Sequence, residues 1–233
     1  MVQVHPGAHM EDFPIYQISL DQPGYPQLLS QIYDPPAVLY ARGNQLLLNQ
    51  PALAMVGSRQ HSSTASLIIN QLMPELVSVG LTIISGLAIG IDTLVHQATL
   101  DCQGKTIAVL GNGLDNQSIY PRSNYQLAQN ILQQGGLLLS EHPLGSQPQP
   151  WHFPRRNRLI SGLSLGVVIV EAALPSGSLI TAKHALEQGR EVMAVPGSIM
   201  SAQTAGTNYL IKQGAGIITS AQDILDQLLL DKT

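Results

Sequence analysis

Three arginines fall within four positions in Phe153-Pro154-Arg155-Arg156-Asn157-Arg158, next to Trp151 and His152, and no Asp or Glu occurs between Glu141 and Glu171. A guanidinium grips phosphate oxygens as a planar fork, and aromatic rings stack on any base. A basic run interleaved with aromatics therefore suits single-stranded nucleic acid. Pairing of these arginines with Glu141 and Glu171 is the competing account of the run. A second string, Gly57-Ser58-Arg59, offers close backbone approach, a hydroxyl and another fork. Ser85-Gly86 with Gly90-Ile91-Asp92, Gly111-Asn112-Gly113 with Tyr120-Pro121-Arg122, and Ser176-Gly177-Ser178 repeat the theme. Such turns present N–H groups and hydroxyls where a helix starts, a setting that favours anions. Any one of them is also explained as an ordinary turn or cap. Five together describe a pocket for an anion such as phosphate.

Two further signals are weaker. Asp92 and His96 stand one helical turn apart, which suits a capping carboxylate with an exposed histidine, or alternatively a catalytic dyad. The Gly-x-Gly at 111–113 lacks the third glycine and the acidic residue of a dinucleotide site, so NAD is disfavoured and no cofactor is expected.

These strings sit at the joints of a repeating pattern. Apolar runs at Ala52–Val56, Leu81–Ile84, Thr106–Leu110, Leu137–Leu139, Gly166–Val170, Val192–Val195 and Gly216–Thr219 read as strands. Segments between them read as helices: Ser62–Val79, kinked or divided by Pro74, then Ile89–Leu100, Ser123–Gln134, Ser178–Gln188 with Leu179, Ala182 and Leu186 inward, Thr207–Gln213 and Ala221–Leu229. The proline-rich stretch Pro143–Pro154 reads as a loop, with the basic run exposed on it. Before residue 51 the chain reads as an arm with a short helix near Gln27–Ile32 and a strand near Ala37–Ala41. Strands apolar on both faces and alternating with helices imply an α/β fold: an extended Rossmann-like, doubly wound, mostly parallel sheet with helices on both faces. In such sheets ligands bind at the carboxyl ends of the strands.

Composition sets the bounds. Charged residues make up 11% of the 233, against roughly a quarter in ordinary domains. The formal net charge of −4 argues against generic coating of duplex DNA, which needs a basic face. Cys102 is the single cysteine, so no internal disulfide forms and a reducing compartment is expected. Glu11 and Asp12 fall where a signal peptide would be apolar, and no run approaches a membrane span. A cytoplasmic location without membrane contact follows as the expectation.

Taken in order, the strings resemble the DNA-processing protein A family, also called DprA or Smf. The matching ones are Tyr25-Pro26, Val56-Gly57-Ser58-Arg59, Ser85 to Asp92, Tyr120-Pro121 with Asn124, Ser140-Glu141, Phe153 to Ile160, Ser176 to Ala182, Val195-Pro196-Gly197, and Gly206-Thr207-Asn208 with Gly214-Ala215. The resemblance implies binding of single-stranded DNA, partnership with the RecA recombinase, protection of incoming strands in natural transformation, a homodimer, and no enzymatic activity. It carries the family's DNA pocket to Gly57, Ser58, Arg59, Ser85, Gly86, Phe153, Arg156, Asn157 and Arg158, with Arg122 and Lys212 placed only by proximity to matching strings. Residues 1–50 would be a lead-in arm and 51–233 the DNA-binding domain; the helical and winged-helix domains of many relatives have no counterpart in these strings. From the exposed loop, Arg156→Ala and Phe153→Ala are expected to weaken DNA binding at little cost in stability. Two other readings compete: a LOG-type nucleotide phosphoribohydrolase using Glu141 with Arg156, although its Pro-Gly-Gly-x-Gly-Thr string is absent, and a mononucleotide sensor.

Overall fold

The computed structural model describes residues 9–229; residues 1–8, the start of the arm, and 230–233 lie outside the described residues. In chain order the strands and α-helices are β1 (Ile15–Ser19), α1 (Gln27–Ser30), β2 (Val38–Gly43), β3 (Ala52–Val56), α2 (Thr64–Ser78), β4 (Thr82–Ser85), α3 (Ile91–Asp101), β5 (Thr106–Leu110), α4 (Tyr125–Gln133), β6 (Leu137–Ser140), α5 (His152–Gly162), β7 (Gly166–Ile169), α6 (Gly177–Glu187), β8 (Glu191–Ala194), α7 (Ala205–Lys212), β9 (Gly216–Ile217) and α8 (Ala221–Gln227). The described residues build one nine-stranded sheet in the order β1-β2-β6-β5-β4-β3-β7-β8-β9. Strands β3 to β9 pair in parallel. The first two pair antiparallel to each other, and β2 is antiparallel to β6.

The alternation of β3 divides the core. Ala52, Ala54 and Val56 join α1, α5, α6 and α7 through Leu29, Leu159, Ile160, Ala182 and Leu210. Leu53 and Met55 join α2, α3 and α8 through Ile69, Leu76, Val95 and Ile224. Toward the β6 side, α4 covers Ala108 and Leu138 with Ala128 and Ile131. Both faces of the central strands are thus covered, which is why β3 is apolar at every position.

Four details differ from the sequence reading. The arm supplies β1 as well as β2, so it extends the sheet rather than only lying against it. Arg42 of β2 fastens it, donating from Nε to the Phe13 carbonyl at 2.9 Å and from Nη1 to the Leu114 carbonyl at 2.9 Å and Asn116 Oδ1 at 2.8 Å. Pro74 does not divide α2, which runs unbroken from Thr64 to Ser78. Leu186 is 63% exposed, because α6 turns Ala182 and Ala185 to the sheet instead. Finally, the run beginning at Phe153 is helical. Pro154 is the third residue of α5, within the first turn, where backbone N–H groups have no intrahelical partner to lose. No helix among the described residues is long and apolar enough to cross a membrane.

Candidate nucleic-acid interface

From β3 the chain winds outward through β4, β5 and β6, then returns to place β7 on the other side of β3. The connections therefore diverge between β3 and β7, and such a switch point opens a crevice at the carboxyl ends of the strands. A cleft of about 720 Å³ lies there, walled by Gly57, Ser58, Arg59 and Gln60 after β3, Ala173 and Pro175 to Ser178 after β7, and Phe153, Arg156, Asn157 and Ile160 of α5. Tyr120 closes one end, 5.8 Å from the Phe153 ring centre to centre.

The loops have defined supports. The Ser58 amide donates to the Glu171 carbonyl at 2.8 Å, and the Ser58 hydroxyl folds back onto the Gln60 carbonyl at 2.7 Å. Gly57 has no room for a side chain: a Cβ would stand 2.7 Å from Ile91 and 2.8 Å from the Glu171 carbonyl. Gly90, at φ +87°, sits under Arg59, whose Cα a Cβ would meet at 2.7 Å. Glu171 is buried and accepts from the Ser62 amide at 2.8 Å and from the Ser62 hydroxyl. On the β7 side, Ser176 caps α6 by accepting from the Ser178 amide at 3.3 Å.

Beneath the cleft two opposite charges are buried. Arg156 is only 4% exposed. Its Nη1 donates to the Gly86 carbonyl at 2.6 Å and to the Val109 carbonyl, so it joins α5 to the carboxyl ends of β4 and β5. Asp92 supplies the opposite charge and accepts from the Gly86 and Ala88 amides at 3.0 and 3.3 Å. Burial lowers Arg156 to about 10 and raises Asp92, the latter opposed by the Arg156 charge. His96 is fully buried and meets Thr106 Oγ1 through Nδ1 at 2.8 Å. It is neither the exposed histidine nor half of a dyad with Asp92, whose oxygen serves backbone amides. Burial, then the Arg156 charge, pushes His96 down to about 3.

The structure sorts the expected site residues into groups. Gly57, Ser58, Arg59, Phe153, Arg156 and Asn157 come together on the cleft. Arg59 is exposed, with its guanidinium carbon 5.7 Å from the Phe153 ring centre. Asn157 reaches the Gly177 carbonyl at 3.3 Å, tying α5 to the α6 turn. Gly86 reaches a narrow extension of the cleft beside Tyr120 and Pro121. Ser85 is buried and donates to the Met55 carbonyl at 2.7 Å, so its hydroxyl faces inward. Arg158 is 6% exposed and ion-paired with Glu141 at 2.6 Å and Asp34 at 3.3 Å. Arg122 turns away, donating to the Asn116 carbonyl at 2.6 Å and stacking 4.2 Å from the Tyr125 ring centre. Lys212 ends α7, just before β9 begins, at the amino ends of the parallel strands and so at the opposite end of the sheet from the cleft. The basic run is thus no solvated loop: two of its three arginines are buried, and Glu171 bonds Ser62 rather than an arginine. Glu141 is absent from the cleft wall, so it does not join Arg156 in a hydrolytic pair. The sequence gives no signal for Ala173 and Pro175 as cleft walls; only the strand order brings them there.

A cleft at a switch point, lined by glycine turns, an exposed arginine and an aromatic ring, belongs here to a doubly wound, Rossmann-like fold. Residues 17–229 match the family described as DNA recombination-mediator protein A, and the chain belongs to that family. DNA processing protein DprA of Bacillus subtilis is 48% identical over 215 residues, covering 92% of this chain and 71% of that protein. Other curated relatives are spanned over as little as 49% of their length. The structure of DprA from Streptococcus pneumoniae superposes with a TM-score of 0.85 at 42% identity, covering 96% of this chain and 76% of that one. DNA processing protein A from Helicobacter pylori, whose structure is described for its single-stranded DNA binding mode, superposes with a TM-score of 0.82 at 31% identity, covering 95% and 98%.

Proposed function

We propose that this chain captures single-stranded DNA in the cleft between β3 and β7 and acts as a recombination mediator, binding rather than transforming its ligand. The carrying observation is Arg59, exposed at the rim and held over the Phe153 ring at 5.7 Å. The pair sets a phosphate-binding fork beside a stacking surface, the combination that holds an unpaired strand without reading its sequence. A duplex keeps its bases stacked inside and cannot offer one to Phe153. Family membership and the single-stranded DNA described for the Helicobacter pylori relative support the reading. On this reading the protein works in the cytoplasm as a homodimer, protects strands arriving during natural transformation, and helps load a RecA recombinase onto them.

Fluorescence anisotropy of labelled oligo(dT) and its duplex across a salt series tests the proposal. Single-strand binding that weakens with salt, with the duplex bound much less tightly, is the expected result; equal binding of both, or of neither, overturns it. The cleft's 720 Å³ also falls in the usual range for small-ligand pockets, so a mononucleotide sensor is the second reading. Displacement of oligo(dT) by stoichiometric thymidine monophosphate would favour the sensor.

A further inference from the structure

The first turn of α5 has two faces, and the cleft uses one of them. Phe153 and Asn157 stand four residues apart, as do Trp151 and Arg155, and residues at that spacing share a side of a helix. Phe153 and Asn157 line the cleft. Trp151 and Arg155, two positions away from Phe153 on either side, face solvent: Trp151 is 66% exposed and the Arg155 side chain 60%. Trp151 is the chain's only tryptophan, a residue that ordinarily hides most of its surface.

The exposed indole has a rigid backing. It meets the His152 ring edge-on, with centres 5.9 Å apart and planes at 83°. His152 in turn stacks on His142 at 4.0 Å and 26°, and its Nδ1 meets the Gly111 carbonyl at 3.0 Å. The three rings form a braced column whose last member is left bare. Arg155 touches Glu141 through Nε at 3.5 Å, while the same carboxylate oxygen is held more closely by Arg158 at 2.6 Å. Asp34, the other carboxylate of this cluster, also belongs to Arg158, at 3.3 Å. The guanidinium of Arg155 therefore keeps its outward groups for a ligand. Pro150, next to Trp151, is itself a cleft wall, so the two faces are continuous.

We propose that Trp151 and Arg155 form a second nucleotide subsite outside the cleft, the indole stacking a base and the guanidinium holding the adjoining phosphate. The inference rests on the single-stranded DNA reading of the cleft and extends the strand's path by a step over the start of α5. An aromatic face and a cation side by side suit an unpaired nucleotide of any sequence.

With one tryptophan in the chain, its emission reports this subsite alone. Titration with a long oligo(dT) should quench it, whereas a thymidine dinucleotide, which occupies the cleft only, should leave it unchanged. Trp151→Ala should weaken long-oligo binding about ten-fold, the loss of one stacked base, and Trp151→Phe should restore most of that loss. Dinucleotide affinity and melting temperature should not move in either variant. Arg155→Ala should lower the dependence of affinity on salt by about one phosphate contact. A long oligo that binds with wild-type affinity to Trp151→Ala, and leaves wild-type emission unquenched, overturns the subsite while the cleft reading stands. Failure of the wild-type protein to bind either probe overturns both.

Discussion

The guanidinium of Arg156 lies against Gly86: Nη1 donates to its carbonyl at 2.6 Å, and a Cβ on Gly86 would stand 2.6 to 2.7 Å from all three terminal atoms of the group. Glycine at 86 is therefore the space that lets a buried arginine from α5 reach the ends of β4 and β5. Arg156→Ala would leave the Gly86 and Val109 carbonyls without their donor, remove the cation that offsets the Asp92 charge and open a cavity. A buried polar group left without its partner costs about 1 to 3 kcal/mol. The expected outcome is a clear fall in the denaturant midpoint, contrary to the small cost an exposed loop would imply; a midpoint within error of wild type would show that Arg156 does not brace the cleft. Gly86→Ala should destabilise in the same assay, and adding it to Arg156→Ala should cost less than it does alone, because the clashing group is gone.

Arg59 offers the opposite test. It is exposed and has no ion pair among the described residues, so Arg59→Ala should leave stability within about 0.5 kcal/mol. Anisotropy with oligo(dT) should nonetheless show a large loss of affinity and a salt slope shallower by about one contact. Phe153→Ala should lose affinity by about 1 to 3 kcal/mol without changing that slope, since it removes a stacking face and no charge.

Lys212 serves as the control cation. It sits where α7 ends and the chain turns into β9, at the amino ends of the strands, whereas the cleft is at their carboxyl ends. Lys212→Ala should bind oligo(dT) with wild-type affinity and salt slope. A loss comparable with that of Arg59→Ala would mean that the strand runs on past the cleft to the other end of the sheet.

Acid should weaken the fold through His96. Burial, aided by the Arg156 charge, lowers this imidazole from 6.5 to about 3, so between those values the unfolded chain takes up a proton that the folded one refuses. Stability is then complete above the unfolded value and falls as pH drops, by about 2 kcal/mol at about pH 5 from this group alone. His142, lowered to about 4 by burial with His152, Arg155 and Arg158 adding to it, acts with the same sign. Melting temperature against pH should slope less steeply in His96→Gln than in wild type; parallel curves would remove His96 as the cause.

The parallel strands were legible from the sequence because both faces are covered: β5 spans Thr106–Leu110, the bounds its apolar run predicts. β1 escaped because it is an edge strand that mixes Tyr16 and Gln17, both exposed, with buried Ile18. Residue types in the basic run pointed to anion chemistry, but a string of letters does not carry helical phase. Phase turns Arg155 outward and sends Arg156 and Arg158 into the protein, with Arg156 still reaching the cleft wall and Arg158 held by Glu141 and Asp34. His96 looked like a surface residue beside a capping Asp; its true partner, Thr106, comes from the next strand. The cleft was legible as a set of turns, and its closure by Ala173 and Pro175 followed only from the placement of β7 beside β3.

That placement also sets a schedule. Val56 pairs with Ile169, and Tyr40 with Ser140, so the first third of the chain waits for partners about a hundred residues downstream. During synthesis β3 emerges early with one side unpaired, and long-range pairing of this kind is slow and exposes strand edges. Until β7 leaves the ribosome the cleft lacks the wall that Ala173 and Pro175 to Ser178 supply. A nascent chain stalled before Gly166 carries Arg59 and Phe153 but a crevice open on its β7 side, and the closed cleft arrives in one late step.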